Sequence, residues 1–273
     1  MVENLAIIIV FVFLIVVVFF FFGAFFMLLE DTYSSVFNKP FYIHFYPFPK
    51  KLTSSQSQVL SDQFYFYKKL SPKKKQYFEH RVASFIDKYS FYGKDKLVVS
   101  EEMKVLIAAT SAMLTFGMRT YLYTVFDKVI LYPDIYFSQT TKLYHKGEFN
   151  PSVKALVFSW KHFQEGYELA NDNLNLGLHE FSHILQYQSL KSIDASAIIY
   201  RNNYEKLLRE VKHPSNSQRL INSDYIRNYA FTNEFEFMAV ILEHFFETPN
   251  EFKHLFPELY QNVKTMINYK ELE

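Results

Sequence analysis

The longest apolar stretch of the chain lies near its beginning. From Leu5 to Leu29 the sequence runs for 25 residues without a charged side chain, and Glu30 and Asp31 follow directly. At 1.5 Å per residue, a helix of this length measures about 37 Å and can cross a hydrocarbon core of about 30 Å with some tilt. The pattern therefore predicts a transmembrane anchor over residues 1–30 that contacts the bilayer through residues 5–29.

A cleaved signal peptide is the alternative interpretation of this segment. Such a peptide has a basic start, a shorter apolar run and a small-residue cleavage site, whereas this chain starts Met-Val-Glu-Asn and its apolar run is longer. A retained single-pass anchor is therefore favoured.

The orientation of this anchor follows from the charges that flank it. No Lys or Arg precedes the segment, while Lys39, Lys50 and Lys51 follow it. By the positive-inside rule, the rest of the chain is expected in the cytoplasm.

After this segment, helical patterns alternate with a few short strands. Dense prolines predict a Pro- and aromatic-rich tether over residues 31–56 and one globular domain over 57–273. Because the strands do not alternate regularly with helices, an α+β fold, mainly helical with a small sheet, is favoured over a parallel α/β sheet. We expect helices near 58–70, 73–89, 100–117, 174–190, 194–211, 233–246 and 256–269, strands at 128–132 and 154–160, and a loop at 213–218.

Composition narrows the chemistry available to this domain. A hydrophobic fraction of 49%, with 31 Phe and 21 Tyr, provides a large core and excludes global disorder. The net charge of +1 argues against nucleic acid as a partner. The run Lys73–Lys75 could bind anionic lipid or nucleic acid, but a solvated helix face is favoured. Cysteine is absent, so a metal ion must be held by His, Asp or Glu.

His179-Glu180-Phe181-Ser182-His183 is an HExxH motif. Four residues are slightly more than one helical turn, so the two histidines share a face and can bind one metal ion. The glutamate lies about 100° round the helix and can reach a metal-bound water without being a ligand. Two helix histidines satisfied by ordinary hydrogen bonds are the alternative, but burial of this apolar helix favours a metal.

A catalytic zinc usually has three protein ligands and one open position. Ser189 occupies the place of the third histidine in metzincins, which excludes that pattern. In the segment NEFEFMAVILEHFFETP, Glu236, Ala239, Val240 and Glu243 share one helix face. We therefore predict Glu236 as the third ligand and Glu243 as a partner that orients a ligand imidazole.

Other residues and metals compete for these roles. Glu234 lies in the first turn of the same helix, where it would stabilise the helix dipole, and His244 and Glu247 lie near its far end. A charged helix face would explain the glutamates without a metal, but the residues between them are apolar. Two imidazoles and one carboxylate favour a single Zn²⁺, with non-haem iron as the alternative.

Together with three further segments, the HExxH motif resembles the Mlc titration factor A family of zinc-dependent peptidases. The resemblance rests on HEFSH, YAFTNEFEFMAVILEHFFETP, FYGKDKLVVSEEMKVLIAATSAMLTFGM and VILYPDIYF. It covers about residues 57–265 and omits the apolar segment. It implies a zincin-like metallopeptidase domain, with one zinc on His179, His183 and Glu236 and with Glu180 as base.

The resemblance also implies two further residues. Tyr229 matches a family tyrosine seven residues before the ligand glutamate and would act as an oxyanion donor. Gln186 stands where the family often has Asp. Its amide oxygen can accept a hydrogen bond from an imidazole or the backbone but brings no charge, so metal affinity is expected to differ.

The predicted function is therefore hydrolysis of peptide bonds by a zinc-bound water, with Glu180 as general base and a peptide or protein as substrate. The strand KALVFSW is a hypothetical edge on which an extended substrate pairs. The alternative is a non-catalytic, zinc-containing regulatory protein that sequesters a partner, such as a transcriptional repressor, at the membrane. Intramembrane proteolysis is disfavoured because no second run of 18 apolar residues exists, and no Gly-x-Ser-x-Gly elbow supports serine chemistry.

Overall fold

The computed structural model describes residues 2–168 and 171–270 of the chain. Residue 1 and residues 271–273, at the ends of the predicted anchor and globular domain, lie outside the described residues. In chain order the elements are α1 (Val2–Phe37), α2 (Ser54–Gln63), α3 (Tyr65–Lys68), α4 (Pro72–Lys88), β1 (Ser90–Gly93), α5 (Glu101–Leu114), β2 (Lys128–Tyr132), β3 (Tyr136–Phe137), β4 (Tyr144–His145), β5 (Gly147–Asn150), β6 (Ala155–Ser159), α6 (Trp160–Glu168), α7 (Leu176–Lys191), α8 (Ala195–Val211), α9 (Pro214–Asn222), a 3₁₀ helix (Asn228–Phe231), α10 (Glu234–Glu247), α11 (Pro249–Leu255) and α12 (Pro257–Met266).

Helix α1 is longer than the apolar stretch that begins it. It continues through the polar residues to Phe37, so residues 31–37 of the predicted tether are helical. Among the described residues, Asn4–Phe37 is the one helix long and apolar enough to cross a membrane, and its most apolar window is unburied. Beyond this window Glu30 is buried and pairs with Arg119. The end of α1 therefore packs against the domain.

The main sheet is mixed, with strand order β1-β2-β6-β5. Strands β1, β2 and β6 are parallel, and β5 runs antiparallel to β6. Strand β6 is buried at all its positions because it lies between two neighbours. The hypothesis that the edge of KALVFSW pairs with a substrate is therefore wrong, since β5 is the terminal strand. A continuous apolar run is typical of a central strand.

Helix α7 lies at the centre of the helical part of the fold. It packs against α5, α6, α8 and α10, and it contacts β5. The apolar positions Leu178, Phe181, Ile184 and Leu185 are buried in the main core. The predicted α+β class, mainly helical with a small sheet, is confirmed.

Most predicted elements agree with the structure to within a few residues, but the predicted loop at 213–218 is wrong. Helix α9 begins there, because Pro214 at the first helical position fixes a helix-compatible φ. Buried Leu220 then holds the helix against the domain. The elements that were not predicted are all short, among them strands β1, β3, β4 and β5 and helices α6 and α11.

The tether after α1 is fastened to the domain by a buried guanidinium. Arg81 on α4 is fully buried, and its Nε donates to the Tyr46 hydroxyl at 2.7 Å. Its two other nitrogens donate to the carbonyl oxygens of Thr115 at 2.6 Å and Met118 at 2.7 Å. A buried cation is tolerated only when its donors are satisfied in this way. Arg81 therefore joins the tether, α4 and the end of α5.

We expect Arg81→Ala to destabilise the folded domain by about 3 kcal/mol or more, because two buried carbonyls and a hydroxyl would each lose a donor. For the full chain in neutral detergent micelles, thermal unfolding should show a fall of several degrees in the melting temperature. Arg209→Ala is the matched control, because its side chain is 71% exposed on α8. Equal melting temperatures for the two variants would contradict the role given to Arg81.

Candidate metal centre

The two motif histidines stand one turn apart on α7. The helix is capped by Asn175, whose side-chain oxygen accepts from the backbone N–H of Leu178 at 2.9 Å. The rings of His179 and His183 lie 4.7 Å apart and are nearly perpendicular. Their Nε2 atoms face each other at 3.2 Å. The local helical geometry alone thus brings two imidazole nitrogens together.

Helix α10 brings a carboxylate to the same point. Asn233 caps this helix by accepting from the backbone N–H of Glu236 at 3.0 Å. Oε2 of Glu236 lies 2.9 Å from His179 Nε2 and 3.6 Å from His183 Nε2. A tetrahedral zinc with bonds of about 2.0–2.1 Å holds its ligand atoms about 3.3 Å apart. The three atoms of this His-His-Glu group therefore can hold one metal ion.

The hydrogen-bonding state of these atoms also fits a cation. Nδ1 of His179 lies 2.7 Å from a Glu243 oxygen, so a neutral His179 carries its proton on Nδ1 and a lone pair on Nε2. That lone pair faces Glu236 Oε2, which is buried without a hydrogen-bond donor among the described residues. In the neutral tautomer with its proton on Nδ1, His183 directs a third electron pair to the same point. Such a donor set requires a proton or a metal ion between its members.

The pKa values of His179 and Glu236 show the same electrostatics. Burial lowers the pKa of His179, but the carboxylates of Glu236 and Glu243 outweigh it and raise the pKa to about 10. Burial also opposes ionisation of Glu236, yet His179 and His183 hold its pKa well below the usual value. The site therefore stabilises a carboxylate together with a positive charge, which is the charge state that a divalent cation needs.

Glu243 is the most buried acid of the site and connects three parts of the fold. It is 1% exposed. Besides His179, it accepts from Arg227 at 2.7 and 3.1 Å and from the backbone N–H of Asn175 at 2.9 Å. Each of its oxygens thus has a donor, as a buried charge requires. Glu243 holds the His179 ring with Nε2 directed at the donor set.

Glu180 lies beside the donor set rather than within it. It is 6% exposed, and burial raises its pKa although His179 and His183 oppose the shift. The backbone N–H of Phe149 on β5 faces its carboxylate. A Cβ atom on Gly147 would come within 2.8 Å of both Cγ and Oε1 of Glu180. A side chain at this position would therefore force the side chain of Glu180 or Leu176 to shift.

The two residues implied by family resemblance alone lie in different surroundings. Tyr229 is half-exposed in the 3₁₀ helix ahead of α10, with its ring 6.0 Å from that of His179. Burial and the neighbouring Glu236 raise the pKa of Tyr229 to about 12, so its hydroxyl stays protonated at neutral pH. Gln186 is buried beside the Tyr204 hydroxyl. The described residues give Gln186 no hydrogen bond to a member of the His-His-Glu group, and its role stays a prediction.

A cleft of about 520 Å³ opens over this site. Strands β4 and β5 border it on one side, and helices α6 and α7 and the segment before α10 border it on the other. Its lining consists of Tyr144, His145, Lys146, Gly147, His162, Glu165, Gly166, Asp172, Leu174, Leu176, His179, Glu180, Arg227, Tyr229 and Glu243.

The competing residues on α10 do not contact the His-His-Glu group. Glu234 is half-exposed and pairs with Lys212, and His244 packs its ring on Tyr225 at 4.4 Å. Glu247 accepts from the Asn175 side chain at 3.0 Å, one turn beyond Glu243. The structure thus brings together His179, Glu180, His183, Glu236 and Glu243.

Sequence reasoning missed two supporting residues, Arg227 and Asn175. Arg227 lies in an irregular segment, and no spacing relates it to the motif. Asn175 could have been found as an N-cap signal, since it stands directly before the first helical residue of α7. Gly147 was also missed, because its importance depends on the position of β5.

Comparisons with known proteins agree with this chemistry. A model of the family described as glucose-regulated metallo-peptidase M90 matches residues 46–267. The match begins in the tether and leaves out the apolar part of α1. An uncharacterized protein of Synechocystis sp. is 26% identical over 234 residues, covering 80% of this chain and 84% of that protein. The resemblance to the Mlc titration factor A family is confirmed, and the chain belongs to the M90 metallopeptidase family.

Proposed function

We propose that this protein is a membrane-anchored zinc metallopeptidase that hydrolyses peptide bonds, with Glu180 as general base. One observation carries the proposal. Donor atoms of His179, His183 and Glu236 lie within 3.6 Å of one another at a cleft that also holds Glu180. Two imidazoles and a carboxylate leave a fourth position open for water or substrate, which is the composition of a catalytic rather than a structural zinc site.

When bound, the metal would supply a water of lowered pKa and polarise the scissile carbonyl. Glu180 then takes the proton of the attacking water and passes it to the leaving amine. Its raised pKa suits this task, because a stronger base accepts a proton more readily near neutral pH. The protonated Tyr229 hydroxyl donates to the oxyanion that forms on the substrate carbonyl.

The terminal strand β5 is the surface on which we expect the substrate to align. One side of β5 pairs with β6, and its other side faces Glu180 through the Phe149 N–H. An extended peptide added on that side would pass directly over the base. Because Gly147 has no side chain, the side chains of Glu180 and Leu176 can pack closely against this strand.

We further propose that α1 spans the membrane and that the domain is cytoplasmic, since Lys39, Lys50 and Lys51 follow the apolar stretch and no cationic residue precedes it. The alternative is that the same site binds a regulatory protein, such as a transcriptional repressor, rather than catalysing hydrolysis. Substitution of Glu180 separates these two functions, because it removes catalytic turnover and leaves the binding surface intact.

Glu180→Gln should lower kcat by about 10²–10⁴-fold, because the general base is lost, while metal content stays unchanged. Turnover of a fluorogenic peptide library and elemental analysis of the full chain in detergent measure the two effects. Glu205→Gln, on the exposed face of α8, is the matched control. Full activity of Glu180→Gln would contradict the mechanism, and a cellular phenotype that survives this change would favour the regulatory function.

Glu243→Gln should weaken metal affinity about 10–100-fold, because the amide no longer holds His179 with a charged acceptor. Competition with a chelator and elemental analysis, which also distinguishes zinc from iron, measure the affinity. Glu247→Gln is the matched control one turn along α10. Burial raises the pKa of Glu247 to about 7, so its carboxyl group is already partly protonated at neutral pH. Equal effects of both changes would contradict the role of Glu243.

Gly147→Ala should lower kcat about 10–100-fold at unchanged metal content, because the new Cβ displaces the Glu180 side chain from its position. Gly23→Ala provides the control, since its Cβ would meet nothing within 4 Å. Steady-state kinetics of both variants should separate them. If Gly147→Ala kept full activity, the approach of β5 to Glu180 would not matter for turnover.

A further inference from the structure

We propose that a cavity where α1 meets the domain binds the phosphate headgroup of an anionic glycerophospholipid. This inference goes beyond the proposed peptidase activity, and it rests on the proposed membrane span of α1. The cavity shares no lining residue with the cleft over the metal site. A separate site of this kind would fix the domain on the bilayer surface.

The cavity has a volume of about 520 Å³ and is strongly basic. Four lysines line it, Lys39 after α1, Lys73 and Lys74 in the first turn of α4, and Lys270 near the end of the described chain. The described lining contains no Asp or Glu. None of the four ammonium groups lies within 4.0 Å of a carboxylate of the described residues. Four cations with no carboxylate partner in the part of the chain that the structure describes favour an anion in the cavity, and lysine is a common phosphate ligand.

The lysine run 73–75 does not behave as one solvated face. Lys75 turns away, with its ammonium 5.0 Å from the Tyr67 ring centroid, whereas its two neighbours line the cavity. His44, in the same lining, has a pKa lowered to about 3 by burial and by the charges of Arg81, Lys270 and Lys74. Two of the cavity lysines, Lys74 and Lys270, therefore act on the same ring in the lining.

The aromatic wall of the cavity joins it to the apolar part of α1. Tyr33, Phe41, Tyr42 and Tyr77 contribute rings to the lining. The ring of Phe41 lies 5.2 Å from that of Tyr33 and 5.8 Å from that of Phe26. Because Phe26 belongs to the apolar stretch, the tether folds back towards the hydrocarbon region. Aromatic side chains in this position are typical of a membrane–water interface.

The depth of the cavity matches the headgroup layer. Tyr33 follows Leu29 by four residues, which is about 6 Å along a helix. Each headgroup layer of a bilayer is about 5–8 Å thick. A lipid whose chains lie beside the apolar stretch would thus carry its phosphate to the level of the lysines. This position favours a lipid headgroup over nucleic acid, which would need a longer cationic surface.

The test measures lipid binding to the full chain in neutral detergent by native mass spectrometry. We expect phosphatidylglycerol to bind more tightly than phosphatidylcholine of the same chain length. The double substitution K73Q/K74Q should weaken phosphatidylglycerol binding about 25-fold, or about fivefold for each lysine, and leave phosphatidylcholine binding unchanged. K94Q/K96Q is the matched control, since these exposed lysines lie outside the cavity lining.

Equal binding of the two lipids, or equal losses in the two double variants, would overturn the proposal. A third arm titrates inorganic phosphate alone. Lysine-dependent binding of phosphate without a preference for phosphatidylglycerol would also overturn the lipid assignment. The melting temperature of each variant verifies folding. Retention of the wild-type chain in phosphatidylcholine bilayers after a carbonate wash tests the span by itself, so failure of the anchor and failure of the site are distinguishable.

Discussion

The candidate site depends on one buried carboxylate, that of Glu243. A charge that is 1% exposed is costly unless every lone pair has a donor, and here the donors come from His179, Arg227 and the backbone of Asn175. These three groups belong to α7, to the segment before α10 and to the cap of α7. Satisfying Glu243 therefore fixes how α10 packs on α7, and the same packing places Glu236 against the two histidines.

The sheet completes the site from the opposite direction. Strand β5 pairs only with β6 in the described sheet, so it forms one end of the sheet, and it contacts α7. Burial raises the pKa of Glu180, whereas His179 and His183 keep the carboxylate of Glu236 ionised. Two glutamates of the candidate site thus differ in basicity because one is covered and the other is paired, a difference that suits the proposed roles of base and ligand.

A feature could be predicted from the sequence where it depends on one helix alone, and could not where it depends on a contact between separate elements. The HExxH spacing determines the face of a single helix, so the pairing of His179 with His183 needs no tertiary information. Glu236 could be selected because the helical period relates it to Glu243. Arg227 and Gly147 could not, since each matters only through a contact with another element. The wrong choice of substrate edge has the same origin, because burial of β6 depends on β5, a short strand with a weak pattern of its own.

The junction of α1 with the domain bears on how a membrane-anchored peptidase would meet its substrates. The helix continues past its apolar stretch, Glu30 pairs with Arg119, and Asn38 and Asn203 exchange hydrogen bonds at 3.0 and 3.1 Å. Arg81 then fastens the following tether to α4. A chain held at three successive points does not act as a flexible linker. With α1 across a bilayer, the cleft would keep one height and orientation above the lipid surface, and the accessible substrates would be those that present an extended segment at that height.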